Sequence, residues 1–250
     1  KCMAWFSGDS LGLSDARLVC TIVLNYLLKR KRLSLHLDSM TSPSTPQSTT
    51  RSRLSTDRRQ REIVATVLAL ARERGPDAIT TQAIADRVGV TQGAIFRHFP
   101  DKQAIWLAVF VWIRESLGMA LAAAIDETAS PLARIEQTFL AHAAFIADNP
   151  GVPRVLFHEL QYPGDSPVRV EVRAMIGGYR RRLARLFAQA KAVGELQPDL
   201  DAELAPVTFI GAMQGLVIQA SLAGDEAGML ECARKVFPLL LDGYRGAGKK

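Results

Sequence analysis

"TTQAIADRVGVTQGAIFRHFP", Thr80 to Pro100, holds two short apolar-periodic runs. Each run opens with a hydroxyl residue, and a glycine followed by a β-branched residue separates them. Thr80 or Thr81 can cap a first short helix reaching about Val88, with Ile84 and Val88 turned inward. Ala85 is small where a second helix must come close. Gly89 supplies the left-handed backbone value that a tight helix-to-helix turn requires. Val90 plugs the corner, and Thr91 caps a second helix predicted over Gln92 to Phe99, from which Ile95 packs inward.

That layout is a helix-turn-helix, whose second helix enters the major groove of DNA. Such a helix must be short, capped by a hydroxyl and polar at its N-terminal end. Thr91, Gln92 and Gly93 supply that end, and Gly93 lets the backbone come close to a partner. Gln92 can pair with an adenine edge or donate elsewhere, so on its own it does not specify a base. Helix-glycine-helix spacing fits equally an αα-hairpin with no role on DNA. The residues that follow shift the balance.

Extended forward, "TTQAIADRVGVTQGAIFRHFPDKQAIWLAVF" resembles the N-terminal domain of the TetR/AcrR family of transcriptional regulators. The resemblance rests on the hydroxyl before the first short helix, Ala85, Gly89-Val90, Thr91, Gly93, His98-Phe99 and Lys102. The apolar helix before it, Ile63 to Ala71, sits where that family has its first helix. The match covers roughly Arg58 to Trp112. Beyond it, the chain is similar to the family only in size and helix pattern.

The resemblance implies roles residue by residue. Thr81 would touch a phosphate through its hydroxyl or amide. Thr91, Gln92 and Ala94 would lie near base edges, and His98 and Lys102 would contact phosphates, Lys102 from a helix start whose dipole favours an anion. The family usually has Tyr where this chain has Phe96. Phe96 keeps the packing and loses a hydroxyl that often reaches a phosphate, weakening binding by roughly 1 kcal/mol. Arg97 and the basic run of Arg51, Arg53, Arg58, Arg59 and Arg61 can compensate electrostatically. Simpler roles compete: Arg97 as a solvated side chain, His98 as a packed histidine, Phe99 as core.

Charge supports a polyanion partner at one end of the chain. The net charge of +6 divides into +3 over residues 1–50, +4 over 51–102 and −1 over 103–250. A protein that compacts DNA without discrimination would be basic throughout. Cys2, Cys20 and Cys232 show no metal-like spacing, which argues for a reducing compartment and against a zinc site or disulfide frame. No Gly-rich phosphate loop, H-E-x-x-H or G-x-S-x-G is present. His142, and His158 with Glu159, fit no known ligand spacing. The chain reads as a non-enzyme with no catalytic residues, metal or cofactor.

Residues 1–39 differ from the rest. Their apolar run "LVCTIVLNYLL" is about half the length of a membrane span, and the charges of "KRKR" follow it, whereas a secretory signal has them in front. The Ser/Thr/Pro-rich stretch from Met40 cannot bury enough surface to fold. Met40 is the expected natural start, with a genuine helical extension as the alternative.

From Asp57 the helical period is clear. Ile63, Val67, Leu70 and Ala71 share a face with Val64 and Leu68 beside them, and Gly75-Pro76 ends that helix. Asp101 is placed to cap a long helix over Lys102 to about Asp126. Breaks at Ser130-Pro131, Asn149 to Pro153, Tyr162 to Pro167, Gly194 to Asp199 and Ala223 to Gly228 divide the remainder into further helices. Pro238 should kink or interrupt the last one. No segment has a period-2 strand pattern.

The expected fold is all-α, a three-helix helix-turn-helix head on a larger helical bundle. Residues 1–56 form an extension, 57–103 the DNA-binding head, and 104–250 the effector-binding and dimerisation body. The resemblance implies that the body binds a small molecule and pairs with a second copy. Trp112, Phe139, His142, Phe145, Phe157, His158, Met175 and Tyr179 could enclose a largely apolar effector, although each is equally suited to a helical core. Arg180, Arg181, Arg182 and Arg185 read as a solvated face, one of which could turn inward to hold an anionic effector. Gly211 and Gly215, with Val236, Leu239 and Leu240, mark the expected dimer face. The reading is a cytoplasmic homodimeric regulator with a palindromic operator, a small effector and no membrane partner. The alternative is a helical small-molecule-binding protein without sequence-specific DNA binding.

Overall fold

A computed structural model describes residues 56–246, and among them every regular element is helical. The helices are α1 (Thr56–Arg74), α2 (Thr81–Val88), α3 (Gln92–Phe96), α4 (Lys102–Ala124), α5 (Pro131–Asp148), α6 (Gly151–Gln161), α7 (Pro167–Ala192), α8 (Ala205–Ala223) and α9 (Met229–Arg245). A single turn of 3-10 helix, Pro76–Ala78, links α1 to α2. Residues 1–39, the Met40 start, and Arg51 and Arg53 lie outside the described residues.

The helix boundaries follow local chemistry. Side chains of Thr80, Thr91, Asp101, Ser130 and Ser166 each accept a backbone N–H of the first turn, filling one of the donors a helix start leaves orphaned. Pro131 and Pro167 follow two of those caps, where a missing N–H costs nothing. Gly89 closes α2 with φ of 74°, and Gly224 closes α8 with φ of 66°.

Three boundaries depart from the expectation. Helix α3 ends at Phe96, not Phe99: the N–H groups of His98 and Phe99 both fold back on the Ile95 carbonyl. Pro100 disfavours helical backbone at Phe99, so the turn has to tighten and leave. Helix α4 ends at Ala124 rather than Asp126, because Ile125 is extended and the Asp126 amide is taken by Gln137 Oε1 at 3.0 Å. Pro238 does not interrupt α9. It lies on the solvent side of the helix, where water can serve the carbonyl that its missing N–H leaves open.

One hydrophobic core runs from Ile63 in α1 to Tyr244 in α9. Helix α5 is at the centre of the body and touches α4, α7, α8 and α9. Its Ile135, Phe139 and Ala143 are fully buried. Phe139 meets Phe209 edge-on at 5.0 Å between ring centres and Phe237 at 5.4 Å. Phe187 lies edge-on to Tyr244 at 4.9 Å. Arg114 Nε donates to Glu171 Oε1 at 2.6 Å, joining α4 to α7.

Candidate nucleic-acid interface and effector body

Helices α1, α2 and α3 share a small core of Ile63, Val67, Leu70, Ile79, Ile84, Ala85 and Ile95. Ala85 is completely buried at the α2–α3 corner, where its carbonyl receives the N–H groups of Gly89 at 2.8 Å and Val90 at 3.0 Å. Val90 is half-buried against the core, as its place in the turn requires. Phe99 is buried in the same hydrophobic core.

This scaffold leaves one face outward. Thr91, Gln92, Gly93, Phe96, Arg97 and Lys102 are exposed, while Thr81, Ala94 and His98 are half-buried. Among the described residues nothing lies within 4 Å of where a Gly93 side chain would begin, so no contact there calls for glycine. Gln92 Nε2 donates to Thr81 Oγ1 at 2.5 Å, linking the two short helices across the turn. Phe96 stands 43% exposed, a large apolar ring on an otherwise polar surface. His98 is oriented by its neighbours: its carbonyl accepts from Gln60 Nε2 at 3.0 Å, and its buried Nδ1 has no hydrogen-bond partner among the described residues. Only Nε2 of that ring is left to meet a phosphate.

The eight residues proposed for a pocket fall in different places. His142 Nδ1 and the Tyr179 hydroxyl lie 3.1 Å apart, ring edge to ring face. Burial pushes the His142 imidazole down to about 4 and the Tyr179 phenol upward, so both are neutral near pH 7. Trp112 and Phe145 neighbour each other at 6.5 Å, and Met175 is buried. Phe139 belongs to the aromatic core already described. Phe157 lines a cleft of about 190 Å³ with Ile146, Pro153, Val217, Ile218 and Met229. His158 lines a different one, about 300 Å³, with Lys102, Trp106 and Phe110.

Among the arginines of α7, Arg180, Arg181 and Arg185 are exposed and Arg182 is half-buried. Burial, then the like charge of Arg185, pulls the Arg182 guanidinium down to about 10, with Arg134 adding a smaller repulsion.

Sequence reasoning missed the joint between head and body. Gly151 packs so tightly on α1 that an added Cβ would come 2.2 Å from the Leu68 carbonyl oxygen. From the same helix, Arg154 Nη1 donates to the Arg72 carbonyl at 2.8 Å. Tyr162 donates its hydroxyl to Asp77 at 3.0 Å, and His158 Nδ1 lies 3.6 Å from the same carboxylate. Arg154, His158 and Tyr162 recur every four residues, which a helical wheel could have shown, although nothing local says what they face.

Helix α8 exposes Val207, Ile218 and Leu222, and Leu204 just before it is exposed too. A side chain at Gly211 or Gly215 would meet nothing among the described residues within 4 Å, Leu239 of α9 is 71% exposed, and Val236 and Leu240 are half-buried.

A capped three-helix head with a polar outward face, carried on a six-helix body, defines the class of one-chain helix-turn-helix regulators. Two family models match the chain: "Bacterial regulatory proteins, tetR family" over residues 63–109, and "Tetracyclin repressor-like, C-terminal domain" over residues 163–236. The chain belongs to the TetR family of regulatory proteins.

Among curated relatives, the nucleoid occlusion factor SlmA of Marinomonas sp. is 28% identical over 162 residues, covering 64% of this chain and 81% of that protein. SlmA of Shewanella halifaxensis is 32% identical over 131 residues, 52% of this chain and 61% of its own. Among solved structures, the regulator FadR from Bacillus subtilis in complex with stearoyl-CoA superposes with a TM-score of 0.63 at 21% identity, over 73% of this chain and 98% of that one. The ketosteroid regulator KstR2 of Mycobacterium tuberculosis gives 0.64 at 21%, over 75% and 95%. At that identity both show the shared fold.

Proposed function

We propose that this TetR-family protein is a homodimeric repressor of the cytoplasm, which binds a palindromic operator and releases it when a small molecule enters the body. The observation that carries the reading is the α2–Gly89–α3 unit, whose capped second helix turns Thr91, Gln92 and Gly93 to solvent. Gln92 and Ala94 face base edges, and Thr81, His98 and Lys102 hold phosphates on either side. A net positive charge found only in the first two fifths of the chain supports the same reading. Two heads reading half-sites about 34–36 Å apart require a second copy. The exposed apolar stripe of Val207, Ile218, Leu222 and Leu239, opened further by Gly211, is where that copy packs.

The effector reading has support from the body's mixture of buried aromatics with one neutral polar pair, His142 and Tyr179. FadR and KstR2, whose bodies superpose on this one, are described with stearoyl-CoA and for ketosteroids. A largely apolar molecule is the corresponding choice here. Coupling runs through α4, the helix that begins where the head ends. Helix α6 offers a second route, since it lines both clefts and holds the last turn of α1 through Arg154. An effector that binds better to a displaced α6 shifts the heads by its differential affinity for that state.

The test is fluorescence anisotropy on duplex DNA from the region flanking the protein's own gene, against unrelated duplex at fixed salt. Preference by about 10³ or more supports a site-specific regulator. Absence of binding to any duplex at low salt returns the reading to a small-molecule-binding protein without sequence-specific DNA binding.

A further inference from the structure

We infer that Thr81 is a positioning residue for base readout: it holds the Gln92 amide in the orientation that pairs with adenine, and it couples that pairing to a phosphate contact. The inference rests on the DNA-binding reading above. Its observation is the 2.5 Å hydrogen bond from Gln92 Nε2 to Thr81 Oγ1, made between two outward-facing side chains on different helices.

A glutamine on the first turn of an exposed helix ordinarily samples many rotamers, and fixing it on a base costs entropy. Here one of the two Nε2 protons is already committed, which fixes the plane and direction of the amide. The other Nε2 proton and both lone pairs of Oε1 have no partner among the described residues. Those are the groups that pair with adenine, Oε1 accepting from N6–H and Nε2–H donating to N7. Guanine offers two acceptors on that edge, and Oε1 could only oppose one of them. The hold on Gln92 thus favours adenine over guanine.

Thr81 is itself at the start of α2, where Thr80 caps the helix and fixes its first residues. Its hydroxyl oxygen receives Gln92, so the hydroxyl proton is free to be donated to a phosphate oxygen. A phosphate contact at Thr81 and a base contact at Gln92 are then two ends of one chain of hydrogen bonds. Seating the backbone in register orients the base reader.

The experiment is selection of binding sites from random duplex DNA by the full chain, comparing wild type with Thr81→Val, Thr81→Ser and Gln92→Ala. Melting temperature is measured for each variant. Wild type is expected to select adenine at one position of each half-site by about tenfold or more. Gln92→Ala should erase that preference. Thr81→Val, which keeps the shape and removes the oxygen, should cut it to about two- to threefold at that position alone, and Thr81→Ser should restore it. A merely structural role for Thr81 would lower affinity at all positions together, or lower the melting temperature, without this one-position change. An unchanged adenine preference in Thr81→Val overturns the inference while leaving the regulator reading intact, as does a preferred base at that position other than adenine. If wild type selects no motif at all, the regulator reading itself fails and takes this one with it.

Discussion

Arg154 Nη1 donates a 2.8 Å hydrogen bond to the carbonyl oxygen of Arg72, so a side chain of the body closes the last turn of the head's first helix. Its Nη2 lies 3.8 Å from Glu226 Oε1 in the turn between α8 and α9. Arg154→Met keeps the stem and removes both contacts. The expected cost is about 1 kcal/mol, or a melting temperature lower by roughly 2–4 °C. Operator binding by this variant should respond less to whatever ligand releases the wild type. A variant that releases as the wild type does would show that α6 is not the route.

Gly151 and Gly93 make a contrasting pair. Gly151→Ala puts a methyl group on the Leu68 carbonyl, which is backbone and cannot rotate away, so α6 must lift from α1. A loss of about 1–3 kcal/mol should follow, read by urea denaturation. Gly93→Ala meets nothing among the described residues and gains helix propensity, so stability should hold or rise slightly. Its loss should be confined to DNA affinity, where the methyl group would stand between backbone and bases.

The buried His142 makes stability depend on pH. Its folded value, about 4, lies below the ordinary histidine value of 6.5, because burial disfavours the charged ring. Between those two values the unfolded chain binds the proton and the folded chain does not. Stability is therefore lost as pH falls from about 6.5 towards 4, by at most about 1.4 kcal/mol per pH unit from this group. Urea midpoints at pH 7.5 and pH 5 should differ more for wild type than for His142→Gln, which cannot titrate. Equal differences would refute the assignment.

The apolar stripe on α8 should be covered by a second copy. Leu222→Glu places a charge where the side chain is 78% exposed in one copy, so the monomer's own fold should be barely affected. Light scattering at micromolar concentration should show wild type as a dimer and the variant shifted towards monomer. Affinity for a palindrome should fall with it, while affinity for a half-site should not.

Phe96→Tyr restores a hydroxyl on an exposed ring. If that ring faces a phosphate, operator affinity should rise by about fivefold, the equivalent of one added hydrogen bond of roughly 1 kcal/mol. No change would place Phe96 against a base or in solvent.

What was legible in the sequence follows the range of the forces involved. Helix starts depend on a side chain and a backbone three residues later, so the hydroxyls and Asp101 announced them, and the Gly89 turn was equally local. The early stop of α3 is local too, since Pro100 restricts the backbone of Phe99 just before it. The body was a harder case. Phe139 and Phe157 are the same residue type on helices of similar composition, yet one is sealed between Phe209 and Phe237 and the other edges a cleft. Periodicity tells which side of a helix is apolar, and it does not tell whether that side meets a neighbour or a void. The Arg154–Arg72 contact spans 82 positions of chain and had no local signal at all.

The close seat of Gly151 on Leu68 also bears on how such proteins can be recombined. Exchanging heads between regulators at the start of α4 looks modular on paper, since the helix-turn-helix ends before Lys102. The graft would be compatible only where the donor's first helix has a backbone that can lie directly against α6, with an open carbonyl for Arg154 and an acceptor at the place of Asp77. A working chimera therefore has to carry α6 along with the head, so that the unit of exchange is discontinuous in the chain.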